Sequence, residues 1–179
     1  SLCVRSTRPR RECALTHITA IHGMQSERLR LRRWTPEDAV FHRRLWEERD
    51  PRVPARRRIS ADGHPTLAEM QQRLRAYRPE PAPGLYVVEM RESGIPVGYC
   101  GLATNSVGVP EEPELAFEFL REFWGHGYAT ESSRLILDRA ASVGYDRLAS
   151  TVRAWNVASM NVLHKLGFVD TGERERDAV

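Results

Sequence analysis

Apolar and polar residues alternate with period two across Arg28-Leu29-Arg30-Leu31-Arg32, which predicts a half-buried strand. Thr35-Pro36-Glu37-Asp38 follows with an N-cap hydroxyl, a proline at the first helical position and an acid three residues on. A helix is therefore expected to about Arg49, where Asp50-Pro51 ends it. The stretch 52–65 is rich in Arg and Pro, has no period, and reads as a loop or a poorly formed helix. Thr66, with Glu69 as its capping partner, opens a second helix whose Leu67, Met70, Leu74 and Tyr77 share one face. Pro79, Pro81 and Pro83 stop it.

Strands are expected at 85–90 and 97–102, joined through Glu92-Ser93-Gly94, a hairpin signal. Residues 105–113 form a loop, and 114–120 a further strand. Tyr128, Ser132, Leu135, Ile136, Arg139, Ala140 and Val143 then trace a helical stripe that Gly144 terminates. A strand at 148–154 precedes a short helix capped by Asn156 and stopped by Gly167, and a last strand begins at Phe168. This order predicts a mixed α/β sheet covered on both faces.

Composition adds bounds. At 179 residues, 41% hydrophobic and 28% charged, the chain is expected to bury one core in one domain, 24–179. No apolar run approaches the roughly 18 residues that would span a bilayer, so no membrane partner is expected. Cys3, Cys13 and Cys100 make no paired framework and no metal spacing; a reducing, cytoplasmic location and no metal follow. Every Lys or Arg is an arginine except Lys165, and the net charge of +3 suits an anionic ligand but is too small to call for nucleic acid. Residues 1–23 carry Arg5, Arg8, Arg10 and Arg11 against one acid, Glu12, without apolar period, and are read as a flexible basic tail or a wrongly extended start.

The segment Phe123-Trp124-Gly125-His126-Gly127-Tyr128-Ala129-Thr130-Glu131 joins the strand 114–120 to the helix after it. Two glycines let the backbone turn sharply and approach a ligand, and the first free N–H groups of the helix point at the same spot. Such a turn is a cradle for phosphate.

Taken together, Gly125-x-Gly127-Tyr128-Ala129-Thr130-Glu131 and Asn156-x-x-Ser159-x-x-Val162-Leu163-x-Lys165-Leu166-Gly167-Phe168 resemble the GNAT acetyltransferases. The likeness is greatest to their RimJ/RimL-like branch, which acetylates ribosomal-protein N-termini; Glu27 to Ala39 is similar to that branch's first strand and helix start. The resemblance implies a mixed, mostly antiparallel sheet with one splayed parallel strand pair, 114–120 beside 148–154, and helices on both faces. It implies acetyl-CoA as cofactor and a primary amine as acceptor, on a small molecule or a protein N-terminus. The pantetheine arm would fill the splay like an extra strand. The pyrophosphate would rest on Trp124, Gly125, His126, Gly127, Tyr128, Ala129 and Thr130, with Asn156 and Ser159 near the thioester.

Acetyl transfer to an amine needs a proton acceptor, a polarised carbonyl and a proton for the thiolate. Glu114 and Glu118 share one strand face, and Glu118 is favoured as base because it lies nearer the splay. Backbone N–H groups at Phe119 or Leu120 are expected to polarise the carbonyl. Many members carry a Tyr two residues before the Lys of the second motif; here that position is Leu163, leaving Ser159, or a water held by Asn156, as thiol donor. His126 and His164 read as solvent-facing, Trp124 as packing under the cradle, Glu131 as a helix-dipole partner, and Arg56-Arg57-Arg58 as a solvated run or an anion contact. The fold implied normally closes with one more strand past Gly172, so that strand is lost or truncated here, and an open edge would favour a homodimer. A non-catalytic, CoA-binding or interaction protein of the same fold is the alternative.

Overall fold

The computed structural model describes residues 2–7, 24–79, 84–105, 109 and 111–174. Among these residues seven strands form one sheet: β1 (Leu2–Thr7), β2 (Leu29–Arg32), β3 (Leu85–Met90), β4 (Pro96–Ala103), β5 (Glu114–Phe119), β6 (Arg147–Val152) and β7 (Phe168–Arg174). Their spatial order is β2-β3-β4-β5-β6-β1-β7. Every neighbouring pair is antiparallel except β5 and β6, which run parallel and share a single register pair, Glu114 with Ala149.

Alternation along the strands divides the core. Val87 and Tyr99 turn to one face and pack with Phe41 and Leu45 of α1 (Ala39–Glu47). Val88, Cys100, Leu102 and Leu115 turn to the other and pack with Ile136, Leu137 and Ala140 of α3 (Tyr128–Ser142) and Leu163 of α4 (Val157–Lys165). The remaining helix, α2 (Leu67–Ala76), lies on α1. Its cap forms as the sequence predicts, with Thr66 Oγ1 accepting from the Glu69 N–H and the Glu69 carboxylate accepting from the Thr66 N–H at 2.5 Å. The first helix differs in detail: Pro36–Asp38 is a single 3-10 turn, and α1 proper ends at Glu47, with Arg49 just beyond it. Among the described residues no helix is long and apolar enough to cross a membrane.

The start of the chain departs from expectation. Residues 2–7, read from the sequence as part of a tail, form β1 inside the sheet, antiparallel to both β6 and β7; the rest of that segment lies outside the described residues. Period two explains the placement: Val4 is fully buried in the main core and Ser6 is buried beside it, while Arg5 faces the other way and pairs with Glu112 at 3.1 Å. The Cys3 carbonyl accepts from Thr171 Oγ1, 168 positions on. A run of six residues with only three facing inward, and with partners at the far end of the chain, carries no local signal. Among the described residues β1 thus lies between β6 and β7, and β7 borders the sheet.

Val4→Ala is expected to lower the unfolding free energy by about 1–2 kcal/mol, the cost of two lost methyl groups in a filled core. The exposed Val40→Ala should change it by less than about 0.5 kcal/mol. Urea unfolding of both variants checks this, and equal midpoints would mean that β1 does not share the core.

Candidate active site

The turn between β5 and α3 is built as a cradle. Gly125 and Gly127 both take left-handed backbone, at φ 80° and 82°, which side-chain-bearing residues rarely adopt. A Cβ at Gly125 would meet nothing within 4 Å, so backbone conformation, not crowding, calls for the glycine there. Glu131 is the first residue of α3 whose N–H finds a helical acceptor, Gly127 O at 3.0 Å. The N–H groups of Tyr128, Ala129 and Thr130 therefore point out of the helix end, with the dipole favouring negative charge in front of them. Trp124 is different from expectation: its N–H is spent on Arg121 O at 3.1 Å and its indole donates to Phe119 O at 2.7 Å, and the residue is 57% exposed. His126 is exposed and stacks on Tyr128 at 5.5 Å.

Glu131 does more than oppose the dipole. Ser26 Oγ donates to it at 2.6 Å, and Arg28 Nε at 2.9 Å, tying the start of β2 to the first turn of α3. Partial burial works against its charge, but Ser26 and Arg28 outweigh that and hold its carboxyl below the usual range. The other arm of Arg28 donates to His126 O at 3.2 Å and so fixes the cradle from outside.

From the cradle, a cleft of about 820 Å³ runs between β5 and β6. Where the strands part, side chains take over from backbone pairing: Ser150 Oγ donates to Leu115 O at 2.9 Å, and Glu114 Oε1 accepts from the Thr151 N–H at 2.8 Å. Leu120 N–H goes to Val97 O on β4 at 3.0 Å, so by alternation the N–H groups of Phe117 and Phe119 face the gap. Leu120 itself is buried, with its N–H engaged, and does not present the donor expected of it. Phe119 keeps its N–H for the gap, but its carbonyl is occupied by Trp124.

Glu114 and Glu118 share one strand face, as the sequence predicts, and Ala116 on that face packs with the core under α1. Their surroundings differ. Arg49, only 8% exposed, grips Glu118 with two hydrogen bonds, Nε to Oε1 at 2.7 Å and Nη2 to Oε2 at 2.5 Å. Burial opposes the Arg49 charge, yet the carboxylate more than compensates and raises its pKa. Trp46 lies under the same guanidinium at 4.4 Å, and Trp46 Nε1 donates to His42 Nε2 at 3.1 Å. Burial pushes His42 down to about 4, so it is a neutral acceptor near pH 7. Tyr99 borders this end of the cleft, its hydroxyl pushed up by burial and then by Glu118. Both Glu118 oxygens are thus committed, while Glu114 sits at the point where β5 and β6 separate.

Asn156 caps α4, its Oδ1 accepting from the Ser159 N–H at 3.1 Å, and both residues line the cleft. Leu163, at the position where many members carry a tyrosine, is buried in the main core and offers no proton. Glu122 pairs with Arg44 at 2.8 Å, and His164 is exposed. Sequence reasoning missed Arg49, Tyr99, and the pair formed by Arg52 over the Trp155 ring at 4.1 Å; the Arg/Pro pattern of 52–65 was the sole trace of the last.

The sequence model of the family described as Acetyltransferase (GNAT) domain matches residues 28–169. The chain belongs to the GNAT acetyltransferase family. It is 30% identical over 84 residues to the uncharacterized protein YkkB of Bacillus subtilis; that stretch is 46% of this chain and 49% of YkkB, so the chain spans about half the length of this relative. The structure of an acetyltransferase from Agrobacterium tumefaciens superposes with a TM-score of 0.65 at 22% identity, over 91% of this chain and 92% of that one. AAC(6')-Iy, solved with the bisubstrate analogue CoA-S-monomethyl-acetylneamine, superposes with a TM-score of 0.55 at 19% identity, over 84% of this chain and 97% of that one. At these identities the structural likeness is one of fold.

Proposed function

We propose that this protein is a cytoplasmic, acetyl-CoA-dependent N-acetyltransferase of the RimJ/RimL-like type, acting on a primary amine. The observation that carries this reading is the convergence of the glycine cradle and the splayed β5/β6 gap on one cleft. Both halves fit the cofactor: outward N–H groups at a helix end suit a pyrophosphate, and unpaired strand N–H groups suit a chain of amides. Acetyl-CoA, when bound there, supplies an activated thioester carbonyl.

The chain's own groups do the rest. Tyr128, Ala129 and Thr130 N–H groups hold the anionic end, and Phe119 N–H meets the arm as it enters the gap. Phe117 N–H, deeper by two residues or about 7 Å, replaces Leu120 as the donor to the thioester oxygen. Ala116, between the two glutamates, leaves an opening for the amine. Glu114 accepts the amine proton, directly or through water, because Glu118 would have to give up two charge-assisted bonds to do so. Ser159 Oγ, on the facing helix start, delivers a proton to the departing sulfur. Incubation with acetyl-CoA and a panel of amines and peptide N-termini, read by mass spectrometry, tests the reading; CoA binding without any acetylated product would favour the non-catalytic alternative, to which Leu163 lends weight.

Gly127→Val is expected to fold, because its Cβ would meet only Arg28 Nη2, at 3.8 Å. It forces valine into left-handed backbone at the turn that aims the cradle's N–H groups, so CoA affinity should fall on the order of tenfold or more. Unchanged affinity by calorimetry would move the cofactor elsewhere.

A further inference from the structure

The segment after α1 lines the cleft near Glu118 with two acid–arginine pairs and with Arg57. Asp50 is held by Arg52 at 2.8 Å, and Arg52 also covers Trp155. Glu118 is held by Arg49. The remaining arm of Arg49, Nη1, donates to the backbone carbonyl of Arg57 at 2.6 Å, so the buried pair pins residue 57 in place. The Arg57 guanidinium has no partner among the described residues, is exposed, and lines the cleft beside Tyr99. Its charge reaches the Tyr99 hydroxyl and works against the upward push of burial there. The exposed Arg57 guanidinium, on a backbone pinned by Arg49, thus lines the same cleft as Ala116 and Glu118.

We infer that the acceptor carries an anion, a carboxylate within a few bonds of its amine, and that Arg57 is the residue that selects it. This rests on the acetyl-transfer reading and narrows its substrate class. A carboxylate meets the guanidinium fork with two parallel hydrogen bonds while the amine lies toward Glu114. A polyamine brings several positive charges to the same wall and is disfavoured.

The test compares glycine, β-alanine, aspartate and glutamate with their amides, and with spermidine, as acceptors of acetyl-CoA. The acids should be acetylated with kcat/KM about tenfold or more above their amides, with spermidine poorest. In Arg57→Gln the acid-over-amide ratio should collapse toward one, through a KM for the acids raised about ten- to a hundredfold, and Arg57→Lys should restore part of it. Acids and amides used equally by the unaltered protein, a ratio unmoved in Arg57→Gln, or a preference for spermidine would each overturn the inference. Calorimetry of the N-acetylated acids and N-acetylated amides in the presence of CoA separates the two claims. Arg57-dependent binding of the acids without turnover of any amine would sink acetyl transfer alone, whereas binding indifferent to Arg57 would sink the selectivity alone.

Discussion

Glu114→Gln is expected to lower kcat by about a hundredfold or more while leaving acetyl-CoA affinity unchanged, the range for loss of a general base. The substitution keeps an oxygen for the Thr151 N–H, so the point where β5 and β6 part should hold its shape. Glu118→Gln should behave differently. It weakens the grip of Arg49, and so lowers stability, but turnover should fall by less than about tenfold because its carboxylate is occupied in the resting protein. Steady-state kinetics on both variants decide the matter: a hundredfold loss in Glu118→Gln with full activity in Glu114→Gln would exchange the two roles. Full activity in both would mean that the amine arrives neutral, and that proximity and a polarised carbonyl suffice.

Arg49→Ala should be the most destabilising of the charge substitutions, by about 3–5 kcal/mol, because it strands a carboxylate in a partly buried wall and removes the support of the Arg57 backbone. Replacing both partners, as Arg49→Met with Glu118→Leu, should recover most of that loss, since an apolar pair needs no charge to be desolvated. Urea denaturation of the two singles and the double gives the coupling directly. A loss below about 1 kcal/mol in Arg49→Ala would show the pair to be a surface contact.

What could be read from the chain without its structure follows the reach of each signal. The Thr66 cap, the hairpin around Gly94 and the left-handed glycines 125 and 127 depend on residues within a few positions of one another, and all are found where the pattern places them. The shared face of Glu114 and Glu118 follows from strand period alone. Their different fates do not, because the guanidinium that distinguishes them sits 69 positions away, past the end of a helix whose length the pattern overestimates. Leu120 and Trp124 depart from the pattern for a subtler reason: which strand edge a backbone N–H faces depends on the pairing of β4 with β5, and what the indole N–H finds depends on the turn that follows the strand. The motif supplied the neighbourhood of the cofactor; pairing geometry decided which donors within it remain to be used.

The position of β1 bears on the order in which the molecule can assemble. This strand is synthesised before its partners, yet both lie near the opposite end of the sequence, so its hydrogen bonds must wait until β6 and β7 exist. Closing so long a loop adds an entropic cost that grows only slowly with length, but contacts of this separation slow folding far more than they weaken the folded state. Until β1 returns, β6 and β7 each present an unpaired edge and the main core lacks Val4. The interval before that strand docks is therefore the one in which a nascent or refolding chain is most open to pairing with its neighbours.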